Sequence, residues 1–524
     1  MEGYLIGVDL GTSMNKAGIF NEEGKLLADA FEKTIFYHPE PGAIQQDPMD
    51  FYNSSLRLIK AVVTKSKIEL RRIRCITFDS QMGGVTAVDK NGEAVIPYDS
   101  ILDQRCKKYS VFIKNECEDL MVRKSGVLPT WGQKVLWWMR ERPEDFAEIH
   151  KFVQPTGFVA GKMCGLKGDE AFIDYTATCW SGISDTKNHR WSEEICTILD
   201  IPVEKLPRVV KPWDIVGTVT LKAARECGIV PGIPVAAGAG DQPASLLGAG
   251  LSRPGMFVDN AGSASVFAGC TAYFNPDVKE KVLSFLPSVI TGLYYPLFFL
   301  LGGLAHDWFK EKLASPQKIT KKGKKIYSLL DAGAQSVPPG SGSLFIVPHL
   351  GGRMSPWEPY YRGAWFGMRW ETNRKTLYRS LLESVAYEYF YALRRFRSLL
   401  PDVELKKVRV VGGGAVSDLW NQIKADVLGL NYIKLNRKDL SILGSAVIGG
   451  YGVKIFRDLE STINRLVKET EVVKWREEYH NFYRNCAQFY CKLVDELRHW
   501  FLDLEKMSEI SLPVSGGKNE YHQS

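Results

Sequence analysis

No CxxC pair and no Cys/His cluster at metal-ligand spacing occurs in the chain, although it has ten cysteines. That excludes the common structural zinc sites, and thiols scattered in this way fit reduced cysteines rather than a disulfide framework. There is no GxxxxGK[ST] stretch, which excludes a P-loop nucleotide site. The start, Met1-Glu2-Gly3-Tyr4, lacks the basic residues of a secretory signal, so a cytoplasmic protein is expected. No Lys/Arg block is interleaved with aromatics, and a net charge of +7 on 524 residues is mild. A nucleic-acid partner is therefore not expected, and Lys321-Lys322-Gly323-Lys324-Lys325 reads as a solvated loop.

Long apolar runs are also scarce. The stretch from Phe285 to Ala305 carries no charge, long enough for a membrane span, but Pro287, Pro296, Gly292, Gly302 and Gly303 interrupt it. A buried strand pair turning into a helix at Gly302-Gly303 explains it better, and no membrane partner is expected.

What is present is a soluble α/β pattern, long enough for two or three domains of roughly 150 residues each. Tyr4-Leu-Ile-Gly-Val-Asp9-Leu10 reads as a strand that turns at Gly11-Thr12-Ser13 into a second strand, Lys16 to Phe20, and a third, Lys25 to Ala30. A similar meander is expected from Cys75-Phe78, Gly84-Val88 and Glu93-Ile96, and a helix from Gln133 to Arg142, stopped by Pro143. Phe257-Val258-Asp259-Asn260-Ala261-Gly262-Ser263 echoes Gly7-Val8-Asp9-Leu10-Gly11-Thr12-Ser13, which suggests a duplicated α/β unit around a cleft. The expected organisation is 1–252, 253–460, a helical extension 461–507, and a tail 508–524 without fixed structure. In the extension, Trp475, Tyr479, Phe482, Cys486, Phe489, Leu493, Leu497, Trp500 and Leu504 fall on one helical face, expected to be core.

Three glycine loops could receive phosphates. In Gly11-Thr12-Ser13, glycine lets backbone N–H groups point at an anion, two hydroxyls add donors, and Lys16 adds charge; a polar hairpin turn is the plain alternative. Gly262-Ser263 has the same chemistry. Gly412-Gly413-Gly414 runs from a strand into Ser417 and a helix through Asp426, the arrangement that commonly receives a nucleotide. A buried strand ends at Gly238-Ala239-Gly240-Asp241-Gln242. Phosphoryl transfer to an alcohol needs a base at the hydroxyl and Mg²⁺ at the phosphates; Asp241 suits the base and Asp9 the metal. Asp241 as the N-cap of the following helix fits the residues equally well.

These stretches together resemble the FGGY carbohydrate kinases: GVDLGTS at 7–13, SQMGG at 80–84, DQR at 103–105, AGAGDQ at 237–242, GS at 262–263 and GGGAVSDLW at 412–420. RGAWFGM at 362–368 followed by LYRSLLE at 377–383 resembles the family's C-terminal signature, with Thr376 where a polar or acidic residue is usual. The resemblance is strongest to xylulokinases. It implies an actin-like ATPase fold of two RNase H-like domains closing on ATP and a sugar, with Mg²⁺ and, as in many relatives, a homodimer. By that resemblance Asp241 is the base, and Asp9 and Asp241 are the carboxylates associated with the metal. Gly11, Thr12, Ser13, Lys16, Gly262, Ser263, Gly303, Gly413, Gly414 and Ser417 lie on the ATP side. Gln81, Met82, Gly83, Asp103, Arg105, Trp131 and Gln242 lie on the sugar side.

Two departures stand out. Xylulokinases carry Gln-Met-His-Gly in this loop with the histidine on the sugar, and this chain has Gly83 there; the family's aromatic two residues before Asp103 is Ile101. Losing a hydrogen-bonding group of the site should change the preferred substrate. The expectation is a wider pocket walled by Trp131, with Trp180 a further candidate, taking a hexulose, a pentulose other than strictly D-xylulose, or an inosose. A non-catalytic sensor of sugar or nucleotide is the alternative; a chaperone-like or cytoskeletal ATPase is disfavoured because it needs no sugar-side loop.

Overall fold

The computed structural model describes residues 3–314 and 326–509; the basic run at 321–325 and the tail beyond 509 lie outside them. Two large mixed sheets organise the chain. The first has six strands in the order Ile215–Thr218, Pro234–Gly240, Ile73–Ser80, Tyr4–Leu10, Met14–Asn21, Leu26–Lys33. The second has seven, in the order Ser284–Pro287, Tyr294–Leu300, Ser265–Gly269, Met256–Asn260, Lys407–Val411, Asn431–Leu435, Glu469–Val473. In each, a hairpin (Tyr4–Leu10 with Met14–Asn21; Met256–Asn260 with Ser265–Gly269) has its first strand paired in parallel to a later strand, Ile73–Ser80 or Lys407–Val411. The duplicated unit read from the sequence is therefore present as topology. Its central parallel strands are buried along almost their whole length, as strands covered on both faces must be.

The expected second meander does not form. Ile73–Ser80 joins the first sheet between Tyr4–Leu10 and Pro234–Gly240. Val85–Val88 and Ala94–Asp99 pair with each other in a separate four-stranded sheet with Gln45–Gln46 and Lys151–Val153. Residues 81–84 are thus a passage from one sheet to another. A strand buried on both faces and one buried in a smaller sheet carry the same apolar run, so periodicity could not separate the two cases.

The uncharged stretch forms the antiparallel pair Ser284–Pro287 and Tyr294–Leu300, then the helix Gly302–Trp308. No helix among the described residues is long and apolar enough to cross a membrane. The helix expected at 133–142 spans Gly132–Glu141, and Pro143 opens the next one. In the long helix Glu477–Glu509 the expected stripe is only partly covered: Leu493 is in the core and Tyr479, Cys486 and Leu497 pack against it, whereas Phe482, Phe489, Trp500 and Leu504 are exposed, and Tyr483, Ala487, Tyr490, Val494 and Phe501 make up the rest of the buried face. The helix Leu440–Gly452, late in the sequence, returns to the first sheet and lays Ser441 against Asp9 and Ser445 against Asp79.

Candidate active site

Asp241 is the first residue of the helix Asp241–Gly248, directly after the strand Pro234–Gly240. Gly240 holds the N-cap position, so the capping role open to Asp241 is not the one it takes. Its Oδ1 accepts from the Gln242 N–H at 2.7 Å, leaving Oδ2 without a hydrogen bond among the described residues. Burial, and after it the carboxylate of Asp9, push its pKa up to about 7; the Lys16 ammonium and the Gln242 amide pull the other way. The turn carrying it is fixed from below, because the Gly240 N–H donates to Thr176 Oγ1 at 3.0 Å and the Thr176 hydroxyl donates in turn to buried Asp174.

Asp9 is the penultimate residue of the strand Tyr4–Leu10. Its Oδ2 accepts from Ser441 Oγ at 2.7 Å and lies 3.6 Å from Lys16 Nζ, whose side chain is half exposed. Directly across the parallel register sits Asp79, fully buried, with Oδ2 accepting from Ser445 Oγ at 2.5 Å and Oδ1 unpartnered. Burial, and then Asp9, hold the Asp79 carboxyl well above the ordinary range, which favours its neutral form. Nothing in the local sequence marks Asp79 as part of the site; only the strand register brings it to Asp9. Asp259, the counterpart of Asp9 in the second sheet, is no second copy of the site. It is sealed by Lys424 Nζ at 2.6 Å and the Tyr389 hydroxyl at 2.8 Å, with no solvent access.

Gly11-Thr12-Ser13 and Gly262-Ser263 are both turns of antiparallel hairpins. Thr12 Oγ1 donates to Gln81 Oε1 at 3.2 Å, and Ser13 and Ser263 are exposed. Gly303 supports the second turn: a Cβ there would lie 2.2 Å from the Gly262 carbonyl oxygen, and the Leu304 N–H donates to Ser263 O. Gly413 has open space around it, whereas Gly414 lies against Trp420. Ser417 stands at the start of the next helix. Its hydroxyl donates to Asp331 at 2.7 Å and accepts from Trp420 N at 3.1 Å, capping the helix Asp418–Leu428.

Of the residues expected on the sugar side, Gln81 bridges Thr12 and Gln46 (Nε2 to Oε1, 2.8 Å), and Met82 packs onto Gly240, beside Asp241. Gln242 is partly buried at the same helix start. Arg105 and Asp103 are tied into the scaffold. The guanidinium donates to Asp103, Glu40 and Asp99 and lies over the Trp137 ring at 4.2 Å; Asp103 also accepts from Ile44 N and Arg105 N. Trp131 is 1% exposed and meets Trp191 edge-on, so it offers no open ring face. Trp180 is partly buried, edge-on to Phe299.

The expected widening at Gly83 is not there. A Cβ at 83 would lie 2.4 Å from Ile101 Cδ1 and 2.8 Å from Ile101 Cβ, so the second departure fills the space left by the first. An apolar side chain has taken the volume, not solvent.

An acid with its pKa near neutrality at a strand end, a partnered second carboxylate, and hydroxyl-bearing turns on two similar sheets define a nucleotide-dependent phosphotransferase of the actin-like ATPase fold. The chain belongs to the FGGY family of carbohydrate kinases: the family's N-terminal domain matches residues 4–248 and its C-terminal domain residues 284–453. Among curated relatives, the xylulose kinase of Bacillus subtilis is 26% identical over 472 residues, 89% of this chain and 91% of that protein. The gluconokinase of the same organism is 26% identical over 491 residues, 91% of this chain and 94% of that protein. In structure the chain is similar to the xylulose kinase of Rhodospirillum rubrum (TM-score 0.86, 23% identity, 95% of this chain and 99% of that one). It is equally similar to the gluconate kinase of Lactobacillus acidophilus (TM-score 0.86, 19% identity, 96% and 100%). The protein is thus a carbohydrate kinase with ATP as co-substrate.

Proposed function

We propose that the acceptor is a small ketose or keto-cyclitol, a hexulose, pentulose or inosose rather than strictly D-xylulose, and that Asp241 is the base that activates its hydroxyl. The observation that carries the role of Asp241 is its carboxylate: one oxygen anchored on Gln242 N–H, the other free, and a pKa near 7. Such a group accepts a proton at neutral pH and returns it readily, which is what general-base catalysis requires. The hydroxyl proton passes to Asp241 as the acceptor oxygen bonds to the γ-phosphorus; the bond from γ-phosphorus to the bridging oxygen breaks and ADP leaves. Thr12, Ser13, Ser263 and the loop amides bind and orient the phosphates, with Gly413 on the nucleoside side, and Lys16 adds positive charge.

Mg²⁺ fits the donor set. No group of three or more His, Cys, Asp or Glu side chains able to hold a metal exists among the described residues, and Mg²⁺ in kinases needs only one or two carboxylates, completed by waters and phosphates. Asp9 and Asp241 would hold it, and it would neutralise charge on the phosphates. Ile101, in the space beside Gly83, removes a polar contact from the sugar side and sets an apolar wall there. That supports an acceptor other than D-xylulose, because a site that loses a hydrogen bond loses discrimination for the group it bound.

The test is ADP release with Mg·ATP over a panel of pentuloses, hexuloses, polyols, aldonates and keto-cyclitols, with ³¹P NMR of the product. A strong responder among ketoses or keto-cyclitols supports the proposal. D-Xylulose as the best acceptor, or an aldonate or glycerol, refutes the substrate class.

A further inference from the structure

Along the long helix Glu477–Glu509 runs a line of apolar side chains that the described residues leave largely open to solvent. Phe482, Phe489, Trp500 and Met507 follow one another at steps of seven, eleven and seven residues. Each step is close to a whole number of turns, about two, three and two, so the four side chains share one side of the helix. They are 46%, 45%, 63% and 67% exposed. The line is roughly 37 Å long at 1.5 Å per residue. Exposed Phe366 widens it, with its ring centroid 6.5 Å from that of Phe489. Tyr483, Tyr490 and Val494, on another side, already anchor the helix in the core around the second sheet. The exposed line is not needed to hold the helix down, and a soluble chain that works alone seldom leaves so long an apolar stripe to water.

The order of the line says what covers it. Phe489 and Trp500 are equally far from a midpoint between Val494 and Asp495, and so are Phe482 and Met507. A second copy of the helix, laid antiparallel about a two-fold axis at that midpoint, sets Trp500 of the second copy against Phe489 and its Met507 against Phe482, and the symmetry repeats each contact. Lys492 and Glu496, one turn apart on one flank of the line, are centred on Val494. In an antiparallel two-fold pair the same flanks meet, so Lys492 falls within one residue of Glu496 of the second copy, twice. Both side chains are exposed, and neither is in an ion pair among the described residues. A parallel pair would put these flanks on opposite sides of the contact and lose both charge pairs.

We propose that this side of the last helix docks a second copy of the chain, giving a two-fold homodimer in which the two helices pair antiparallel about residues 494 and 495. The apolar line forms the centre of the contact, and the two Lys492–Glu496 pairs fix its direction and register. Because the contact uses the same surface on both copies, it closes on itself and stops at two. The helix packs in the core around the second sheet, whereas Asp9 and Asp241 belong to elements of the first, so the contact leaves the catalytic carboxylates outside it.

The experiment is sedimentation equilibrium of the full chain over about 1–50 μM, a range that brackets micromolar affinity. Wild type should be a dimer. Trp500→Glu puts a charge into the apolar line at a largely exposed position, so Tm should hold while the dimer dissociation constant rises at least about tenfold. If that variant loses Tm, Met507→Glu, nearer the helix end, gives the same reading. Lys492→Glu and Glu496→Lys each set like charges side by side and should weaken the dimer roughly three- to tenfold. Both changes together restore opposite charges across the two-fold and should return the constant to near the wild-type value. A wild type that stays monomeric over the range overturns the proposal and leaves the stripe to another protein or to residues 510–524 of the same chain. A dimer that the folded glutamate variants leave intact also overturns it, because the copies then pair through a different face. Charge-swap losses that add in the double variant, instead of cancelling, contradict the antiparallel register.

Discussion

Ile101 occupies the volume that a side chain at Gly83 would need, its Cδ1 2.4 Å and its Cβ 2.8 Å from where a Cβ at 83 would sit. The closer of these atoms is at the end of a flexible chain, but the second is anchored to the backbone, so rotation alone cannot clear the space. Gly83→His should therefore destabilise the fold by about 1–3 kcal/mol, the usual range for overpacking. Ile101→Ala in the same chain should recover most of that loss. Urea unfolding of the two single variants and the pair checks it; additive losses would show that the two side chains do not compete for space.

The pKa of Asp241 makes a pH prediction. As a base it must be ionised, so kcat/KM should climb through an acid limb centred at about 7. Lys16 favours the charged form, and Lys16→Met should move the limb to higher pH. The limb position in the two enzymes, measured at constant ionic strength, checks this.

The same group makes a stability prediction. Its folded pKa is raised above the ordinary 3.8, so the folded chain holds a proton that the unfolded chain has released between about 4 and 7. Asp241 therefore costs stability as pH rises through that window, with the full cost present above about 7. Asp241→Asn should raise Tm at pH 8 relative to wild type and have little effect at pH 4. Equal shifts at both pH values would contradict the raised pKa.

Asp259 and Lys424 are both without solvent access and 2.6 Å apart. Lys424→Met leaves a buried carboxylate with only the Tyr389 hydroxyl, and should cost about 3–5 kcal/mol. Adding Asp259→Asn should restore much of it. Denaturant midpoints of the single and double variants measure the coupling.

The legible parts of this molecule were those written in local order. The hairpin at Tyr4–Asn21, its echo at Met256–Gly269, the strand pair with helix at 284–308, and the strand–Asp241–helix junction could all be read from apolar runs and glycines. What could not be read depends on which distant segments meet. Ser441 and Ser445, one helical turn apart, find Asp9 and Asp79 only because a helix late in the chain packs on the first sheet. Ser417 was expected on the ATP side; a cap and a ligand-binding hydroxyl have the same local sequence, and only the structure shows that its hydroxyl caps a helix and meets Asp331. Trp131 and the exposed stripe of the last helix show the same limit for apolar residues: type and spacing give amphipathicity, and packing decides which side is covered.

Steady-state ADP release by wild type and Asp241→Asn, with and without the responding acceptor and beside a direct measurement of ATP affinity, tests the assignment of the base most directly. General-base catalysis contributes roughly 10²–10⁴-fold, so acceptor-dependent turnover should fall by that factor while ATP affinity is kept. Acceptor-dependent turnover that survives in the asparagine variant would contradict Asp241 as the base.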